Sequence, residues 1–148
     1  MKKIGFFTWM NLIRGLRKRG QGIRESGAFL LAEQGNSRVC KVVYYDDLDS
    51  HCLDSGIIEF DGAGYISLFK MCADYGWEVI CDVHTHPDYD TSQSGLDKAH
   101  PMIKKDGHTA LIVPSYAQNK FQLLSGVGIY QYEDDNWTEE QAFKISLY

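Results

Sequence analysis

The sequence contains no long apolar run. A membrane-spanning helix needs about 18 or more consecutive apolar residues, and no such stretch occurs among the 148 residues. The apolar stretch from Ile4 to Phe7 follows two lysines, and it is too short for a secretory signal. The sequence therefore predicts a cytoplasmic protein without a membrane-spanning helix.

Two common metal or redox motifs are also missing. The four cysteines, Cys40, Cys52, Cys72 and Cys81, have no Cys-x-x-Cys spacing, which excludes a zinc ribbon and a thioredoxin-type centre. Free cysteine packs like a small apolar residue, so we expect buried free thiols. The sequence also has no His-Glu-x-x-His motif, which excludes the zinc site that this motif builds on a helix.

Repeats, low-complexity segments and proline-rich linkers are absent, and the chain has only three prolines. With 44% hydrophobic and 13% aromatic residues, the chain can form one packed core. A length of 148 residues fits one domain, so we expect a single domain over residues 1–148.

The first 24 residues contain seven basic residues and no acidic one. The rest of the chain carries eight basic and twenty acidic residues, and the net charge is −5. A basic run can bind an acidic partner or nucleic acid. Aromatic residues do not alternate with the basic ones, as a nucleic-acid groove would require. We therefore interpret the run as a solvated helix face close to an acidic body.

The spacing of apolar residues predicts two longer helices. Trp9, Leu12, Ile13 and Leu16 have helical spacing, and glycines at positions 20 and 22 end that helix. The same spacing recurs at Tyr65, Leu68, Phe69 and Cys72, with a glycine stop at position 76. A shorter helix is predicted over 95–105, although Pro101 interrupts it, and a C-terminal helix over 138–147, capped by Thr138.

The predicted strands alternate with these helices. They cover 3–8, a hairpin of 26–33 and 38–45, then 57–60, 77–83, 109–113, and a closing pair of 121–124 and 127–132. The acidic stretch 46–55 is predicted to be a loop. Strands and helices in this order indicate the α/β class, with one sheet flanked by helices.

Residues 77–86 combine an alternating strand pattern with two histidines. Alternation places Trp77, Val79, Cys81 and Val83 towards the core. The opposite face then carries the intervening residues, which include Ile80, Asp82, His84 and His86. Side chains two residues apart on a strand lie on the same face, so the two imidazoles can bind one ion.

A third ligand has to return from another element, and Asp97 is far enough along the chain to do so. Zinc accepts imidazole nitrogen and carboxylate oxygen, and three protein ligands leave one position for water. Ser94 and Asp97 have a second interpretation, because Ser-x-x-Asp before a helix is also a capping box. Spacing alone leaves the ligand and the capping interpretations open.

The run His84-Thr85-His86-Pro87, followed by Ser94 and Asp97, resembles the signature of the JAMM (MPN-plus) zinc metalloproteases. In that pattern seven residues separate the second histidine from the serine, and two separate the serine from the aspartate; this sequence matches both. The order of elements agrees over about residues 4–132. The resemblance implies a compact prokaryotic deubiquitinase-like member with an α/β, MPN/JAB-like domain of cytidine-deaminase-like architecture.

The resemblance also implies the role of each site residue. His84, His86 and Asp97 would bind one catalytic zinc ion. Glu25 would hold the attacking water, accept its proton and return it to the leaving amine. Ser94 would donate a hydrogen bond to the substrate carbonyl oxygen. The residues around Glu25 match the family context, although three other glutamates compete with it: Glu33, Glu59 and Glu78.

Some features depart from the family or stay open. Certain members hold a second, structural zinc ion, but Ala99 stands two residues after Asp97 and the other histidines are scattered. We therefore expect surface or loop positions for His51, His100 and His108. Asp82 either orients a ligand imidazole or faces solvent.

The function implied by the resemblance is cleavage after the C-terminal tail of a ubiquitin-like protein. The protein would remove this modifier from conjugates or mature its precursor. Compact bacterial members occur in operons with activating and conjugating enzymes, including anti-phage systems. Three alternatives stay open: a protease that processes a sulfur-carrier protein, a catalytically silent MPN scaffold, and a metal hydrolase acting on nucleic acid, which only the basic helix suggests.

Overall fold

The computed structural model describes residues 1–139 and 145–148. The strands are β1 (Lys2–Ile4), β2 (Gly27–Glu33), β3 (Lys41–Tyr44), β4 (Trp77–Thr85), β5 (His108–Val113), β6 (Gly128–Glu133), β7 (Asn136–Glu139) and β8 (Ile145–Leu147). The helices are α1 (Phe6–Gly20), α2 (Tyr45–Leu48), α3 (Gly62–Tyr75) and α4 (Gly95–Ala99).

The main sheet has six strands in the order β3-β2-β4-β5-β6-β7. The pair β4–β5 is parallel and the other neighbours are antiparallel, so the sheet is mixed. β1 and β8 form a separate two-stranded parallel ribbon. The predicted α/β class, with a mixed sheet flanked by helices, is confirmed.

Each face of the sheet supports its own apolar cluster. Ala28, Leu30 and Ala32 of β2 belong to the cluster under α1, whereas Phe29 and Leu31 belong to the cluster under α3. This alternation is the period of two expected of a strand that is buried on both faces. The metal-ligand candidate His84 therefore stands in the central layer of a three-layer domain.

Helix α1 confirms the predicted apolar stripe, since Trp9, Leu12, Ile13 and Leu16 are all buried. The first strand, however, is shorter than predicted: β1 ends at Ile4 and α1 begins at Phe6. At the other end of α1, Arg19 pairs with the carboxylates of Asp46 and Asp47. The basic helix thus packs against an acidic part of the same chain, as we interpreted it.

Strand β4 contains a bulge that alters the predicted alternation. Leu30 pairs with Cys81 but Leu31 pairs with Val79, so Ile80 is an extra residue between them. Trp77 and Val79 consequently pack under α3, while Ile80, Cys81 and Val83 pack under α1. The prediction of one shared core face for all four alternating residues was wrong, because a bulge shifts the facing of every residue before it.

The C-terminal helix predicted over 138–147 was also wrong within the described residues. Thr138 and Glu139 belong to β7 and Ile145–Leu147 is β8, whereas residues 140–144 lie outside the described part. β7 forms a hairpin with β6 around Asp134 and Asp135, which both have positive φ. This is the backbone of a tight two-residue hairpin turn. Pairing with β6 therefore replaces the pattern that favoured a helix.

Several connecting segments also differ from expectation. Residues 57–60 and 121–124 are not strands, and the stretch predicted as a loop at 46–55 begins inside helix α2. Helix α4 ends at Ala99, well before Lys105, because the following residue precedes Pro101. Cys52, Cys72 and Cys81 are buried free thiols as predicted, but Cys40 is exposed.

The turn after β5 has an unusual backbone. Ser115, Tyr116 and Ala117 have φ values of 55°, 51° and 58°, and none of them is glycine. The left-handed region costs an L-residue about 1–2 kcal/mol per residue. Such a run requires surroundings that hold it in place.

None of the described helices combines the length and the apolar content that crossing a bilayer demands.

We predict that Gly27→Ala destabilises the fold. A Cβ atom at Gly27 would collide with the Tyr45 ring and would stand 2.8 Å from the carbonyl oxygen of Val83. Overpacking of this kind typically costs about 1–3 kcal/mol. Urea unfolding measures the loss in the free energy of unfolding.

Gly62→Ala is the matched control for this prediction. Gly62 is the first residue of α3, and a Cβ there would meet no atom of the described part of the chain within 4 Å. Alanine favours a helix over glycine by about 1 kcal/mol, so this variant should be neutral or stabilising. Equal unfolding midpoints for the two variants would contradict the steric argument at Gly27.

Candidate metal centre

The candidate ligands meet where β4 ends against β5. His84 and Thr85 are the last two residues of β4 that pair with β5; His84 lies opposite Ile112, and Thr85 opposite Val113. His86 follows the strand, yet its amide still donates to the carbonyl of Val113 at 2.9 Å. The ligand segment is therefore fixed to the sheet by backbone hydrogen bonds on either side of Thr85.

Three donor groups converge at this point. The Nε2 atoms of His84 and His86 are 3.2 Å apart. Asp97 Oδ1 lies 3.3 Å from His84 Nε2, and Asp97 Oδ2 lies 3.1 Å from His86 Nε2. His84 and His86 are buried and Asp97 is half-buried, so the sequence-predicted ligands are brought together.

These separations are compatible with a bound metal ion. Donors bound to zinc at roughly 2.0–2.1 Å stand about 3.3–3.4 Å from one another at the corners of a tetrahedron. The two imidazole nitrogens, 3.2 Å apart, stand close to that spacing, and each has its own oxygen of Asp97 at 3.1 to 3.3 Å. Two imidazole nitrogens and a carboxylate this close together require a proton or a cation between them, so the donor set fits a metal ion.

The far side of the His86 ring sets its tautomer. Nδ1 lies 3.1 Å from the carbonyl oxygen of Asp90, which can only accept, so Nδ1 carries the hydrogen and donates. In the neutral ring Nε2 then holds the lone pair, and this nitrogen faces His84 and Asp97. A hydrogen bond of this kind fixes both the ring orientation and the nitrogen available to a metal.

Ser94 and Asp97 form a capping box and also reach the candidate ligands. The amide of Asp97 donates to Ser94 Oγ at 3.1 Å, and the amide of Ser94 donates to Asp97 Oδ2 at 2.8 Å. The box holds Asp97 at the start of α4, with its carboxylate against both histidines. The two interpretations left open by the sequence are therefore compatible. Among residues 1–139 and 145–148 the Ser94 hydroxyl only accepts, so its hydrogen is available to donate.

Glu25 is brought to the same place by β2. The neighbouring Ser26 amide donates to Thr85 Oγ1, and the Thr85 amide donates to the Ser26 carbonyl, both at 3.0 Å. Burial raises the pKa of the Glu25 carboxyl, and the nearby imidazoles of His84 and His86 partly offset this. A carboxylate with a raised pKa is a stronger base and a better proton acceptor near neutral pH.

A cavity of about 590 Å³ opens beside these groups. Glu25, Ser94, His84 and Asp97 line it. Apolar and aromatic side chains supply much of the remaining wall, among them Phe60, Tyr65, Met102 and Trp137. Of the competing glutamates, only Glu59 also lines this cavity; Glu33 and Glu78 lie towards the other end of their strands.

The expectation for His108 was wrong. This residue is 3% exposed rather than on the surface, and its Nε2 lies 2.6 Å from the carboxylate of buried Asp82. Asp82 thus neither faces solvent nor contacts a ligand imidazole through a hydrogen bond in the described residues. The sequence alone could not predict this contact. It depends on the pairing of β4 with β5, which places Asp82 beside the strand that begins at His108. His51 and His100 are exposed, as expected.

Comparison with solved structures identifies the fold. A protein from Desulfitobacterium hafniense matches with a TM-score of 0.72 and 18% identity, over 100% of this chain and 93% of that chain. A JAB1/MPN domain protein from Archaeoglobus fulgidus matches with a TM-score of 0.53 and 13% identity, over 100% and 97%. A protein from Salinibacter ruber matches with a TM-score of 0.54 and 18% identity, over 95% and 89%.

No family model matches the chain. These three structures are below 25% identical to the chain, so what they establish is the fold: a mixed α/β domain similar to the MPN/JAB domains. The His84, His86 and Asp97 group within this fold is compatible with a metal site.

We predict that Asp97→Asn weakens zinc binding by at least about tenfold. The substitution keeps the size of the side chain and an oxygen that can accept from the Ser94 amide, but it removes the negative charge that faces both imidazoles. Mutating a residue that merely orients a metal ligand typically lowers metal affinity about 10–100-fold, and a charged ligand should matter at least as much. Competition with a chromophoric chelator measures the change, and Asp74→Asn, on an exposed part of α3, is the control. Unchanged affinity would remove Asp97 from the ligand set.

We further predict that the stabilisation by zinc grows with pH. Burial lowers the pKa of His86, but the hydrogen bonds to Asp97 and the Asp90 carbonyl outweigh it and raise the pKa above 6.5. In the metal-free protein, protonated His86 therefore stabilises the fold below pH 6.5. This stabilisation is lost as the pH rises through the raised pKa of the folded protein. Zinc binds only the unprotonated nitrogen, so the stabilisation by zinc increases as the pH rises.

Thermal unfolding with and without zinc, from mildly acidic to mildly alkaline pH, checks this prediction. The increase in Tm on adding zinc should widen across the pH interval in which His86 loses its proton. A zinc-dependent increase of constant size over that range would mean that His86 is not a ligand.

Proposed function

We propose that this chain is a zinc-dependent peptidase of the JAMM type that cuts after the C-terminal tail of a ubiquitin-like protein. The observation that carries the proposal is the convergence of His84, His86 and Asp97 on one point, beside a cavity that Glu25 and Ser94 also line. The MPN/JAB-like fold supports it. The whole chain, residues 1–148, would be one such domain.

Each residue has a chemical task in the proposed reaction. His84, His86 and Asp97 would hold the ion, which when bound polarises the substrate carbonyl and makes water more acidic. Glu25 accepts a proton from the attacking water and passes it to the leaving amine, so the carboxylate ends the cycle unprotonated. Ser94 donates its hydroxyl hydrogen to the carbonyl oxygen, which becomes negative as water attacks.

The substrate and the setting belong to the same proposal. An isopeptide or peptide bond after an extended modifier tail is the bond to be cut, in conjugates or in a precursor. We assign the protein to the cytoplasm, with operon-encoded activating and conjugating enzymes as partners and an anti-phage system as one setting. A sulfur-carrier protein is the alternative substrate to include in any assay.

We predict that Glu25→Gln keeps zinc but loses about 10²–10⁴-fold in cleavage rate, the usual contribution of a positioned base. The assay uses the zinc-loaded full chain and a ubiquitin-like protein fused through its C-terminus to a reporter. Metal analysis of the same samples separates loss of chemistry from loss of the ion.

Glu59→Gln is the matched control, because Glu59 is a second glutamate lining the same cavity. This variant should cleave at close to the wild-type rate. A wild-type rate for Glu25→Gln would refute the role of Glu25. A zinc-loaded wild type that binds the fusion without cutting it would identify a scaffold instead.

A further inference from the structure

We propose that the left-handed turn Ser115–Ala117 is the positioning element for the ligand His86. The inference rests on the proposed metal centre and assigns a role to a segment outside the ligand set. Its starting point is the run of three left-handed residues without a glycine. Backbone strain of this kind concentrates where a site needs a fixed geometry, and it persists only if neighbouring contacts hold it.

Other left-handed residues in the described part have ordinary explanations. Gln21 is the C-terminal cap of α1, and Asp134 and Asp135 form the tight turn between β6 and β7. Both are places where the chain commonly adopts positive φ. The turn after β5 is neither a helix cap nor a hairpin, so its conformation requires another reason.

The reason is visible in the hydrogen bonds of the turn. The amide of Tyr116 donates to the carbonyl of His86 at 2.8 Å, and the amide of Ser115 donates to the carbonyl of Asp88 at 2.7 Å. Both acceptors lie beyond Thr85, the last residue of β4. The parallel ladder has ended there. The extended Pro114 aims the Ser115 amide, and the left-handed backbone of Ser115 turns the next peptide plane so that the Tyr116 amide also faces the ligand segment.

The turn also acts on the imidazole through the next residues of the loop. The Ser115 amide holds the backbone carbonyl of Asp88, and the side-chain Oδ1 of the same residue accepts a hydrogen bond from the Asp90 amide at 2.9 Å. The carbonyl of Asp90 in turn accepts from Nδ1 of His86. One strained turn therefore restrains His86 at its backbone and, through this short chain of bonds, at the far side of its ring.

The other side of the turn is anchored to the core. Ala117 is 1% exposed and belongs to the cluster under α1. Gly20, at the end of α1, lies next to Tyr116: a Cβ added there would stand 3.9 Å from the Tyr116 carbonyl. Packing against α1 thus supplies the support that keeps the turn in its costly conformation.

The test varies the cost of the left-handed backbone at Ser115, a position whose amide takes part but whose side chain is only half-buried. Ser115→Val adds a β-branched residue, which strongly disfavours positive φ. Ser115→Gly is the matched variant, because glycine adopts that region freely and keeps the amide. Zinc itself is the probe, and its dissociation constant is measured on the full chain with a competing chelator.

We expect Ser115→Val to bind zinc about tenfold more weakly, as is usual when groups that orient a ligand are disturbed. Ser115→Gly should keep the wild-type zinc affinity. A turn with a merely structural role would change the unfolding midpoint of Ser115→Val but not the zinc affinity of the folded protein. Equal zinc affinities for the folded variants would therefore overturn the proposal.

A second measurement uses the wild type, so it does not depend on the folding of a variant. Because coupling is reciprocal, zinc at His86 must stabilise the turn in return. Hydrogen exchange of the Ser115 and Tyr116 amides should slow on adding zinc by a larger factor than that of the Asp74 amide in the last turn of α3, where local fraying allows exchange without global unfolding. Equal factors would refute the coupling. Failure to bind zinc at all would instead refute the proposed function.

Discussion

The parallel pairing of β4 with β5 is the constraint on which the rest of the site depends. It places His84 opposite Ile112 and ends at Thr85 and Val113. Backbone ladders hold side chains far more firmly than loops do, so a ligand on a strand is already oriented. The second candidate ligand, His86, lies one residue past the ladder, and the strand alone cannot orient it. The amide of Tyr116 and the carbonyl of Val113 continue the restraint by one residue.

The chemistry of the site follows from which elements reach the end of that ladder. β2 pairs with β4 on its other side and delivers Glu25, while α4 covers the same end with Ser94 and Asp97. Asp97 serves two purposes at once, because the contact that caps α4 also orients the carboxylate towards the histidines. The same atoms thus stabilise α4 and orient the candidate ligand. A change at Ser94 or Asp97 therefore affects both.

Negative charge at this end of the sheet also favours a cation. Glu25, Asp82 and Asp97 line one cavity, and burying carboxylates is costly unless positive groups compensate them. Asp82 has its partner in His108, and both side chains are almost fully buried. Asp97 has the two ligand imidazoles. Burial raises the pKa of Glu25, and a divalent ion beside it would favour its charged form.

The sequence by itself determined the parts that depend on local patterns. Helical spacing predicted α1 and α3, alternation and a turn predicted the hairpin of β2 and β3, and the motif spacing identified His84, His86 and Asp97. Tertiary structure decided everything that depends on residues far apart in the chain. The bulge at Ile80 arises from pairing with β2, and Thr138 is in a strand because β6 offers hydrogen bonds that outweigh helical propensity. The left-handed turn at Ser115 has no glycine to signal it, since it exists only where α1 and the ligand loop hold it from both sides.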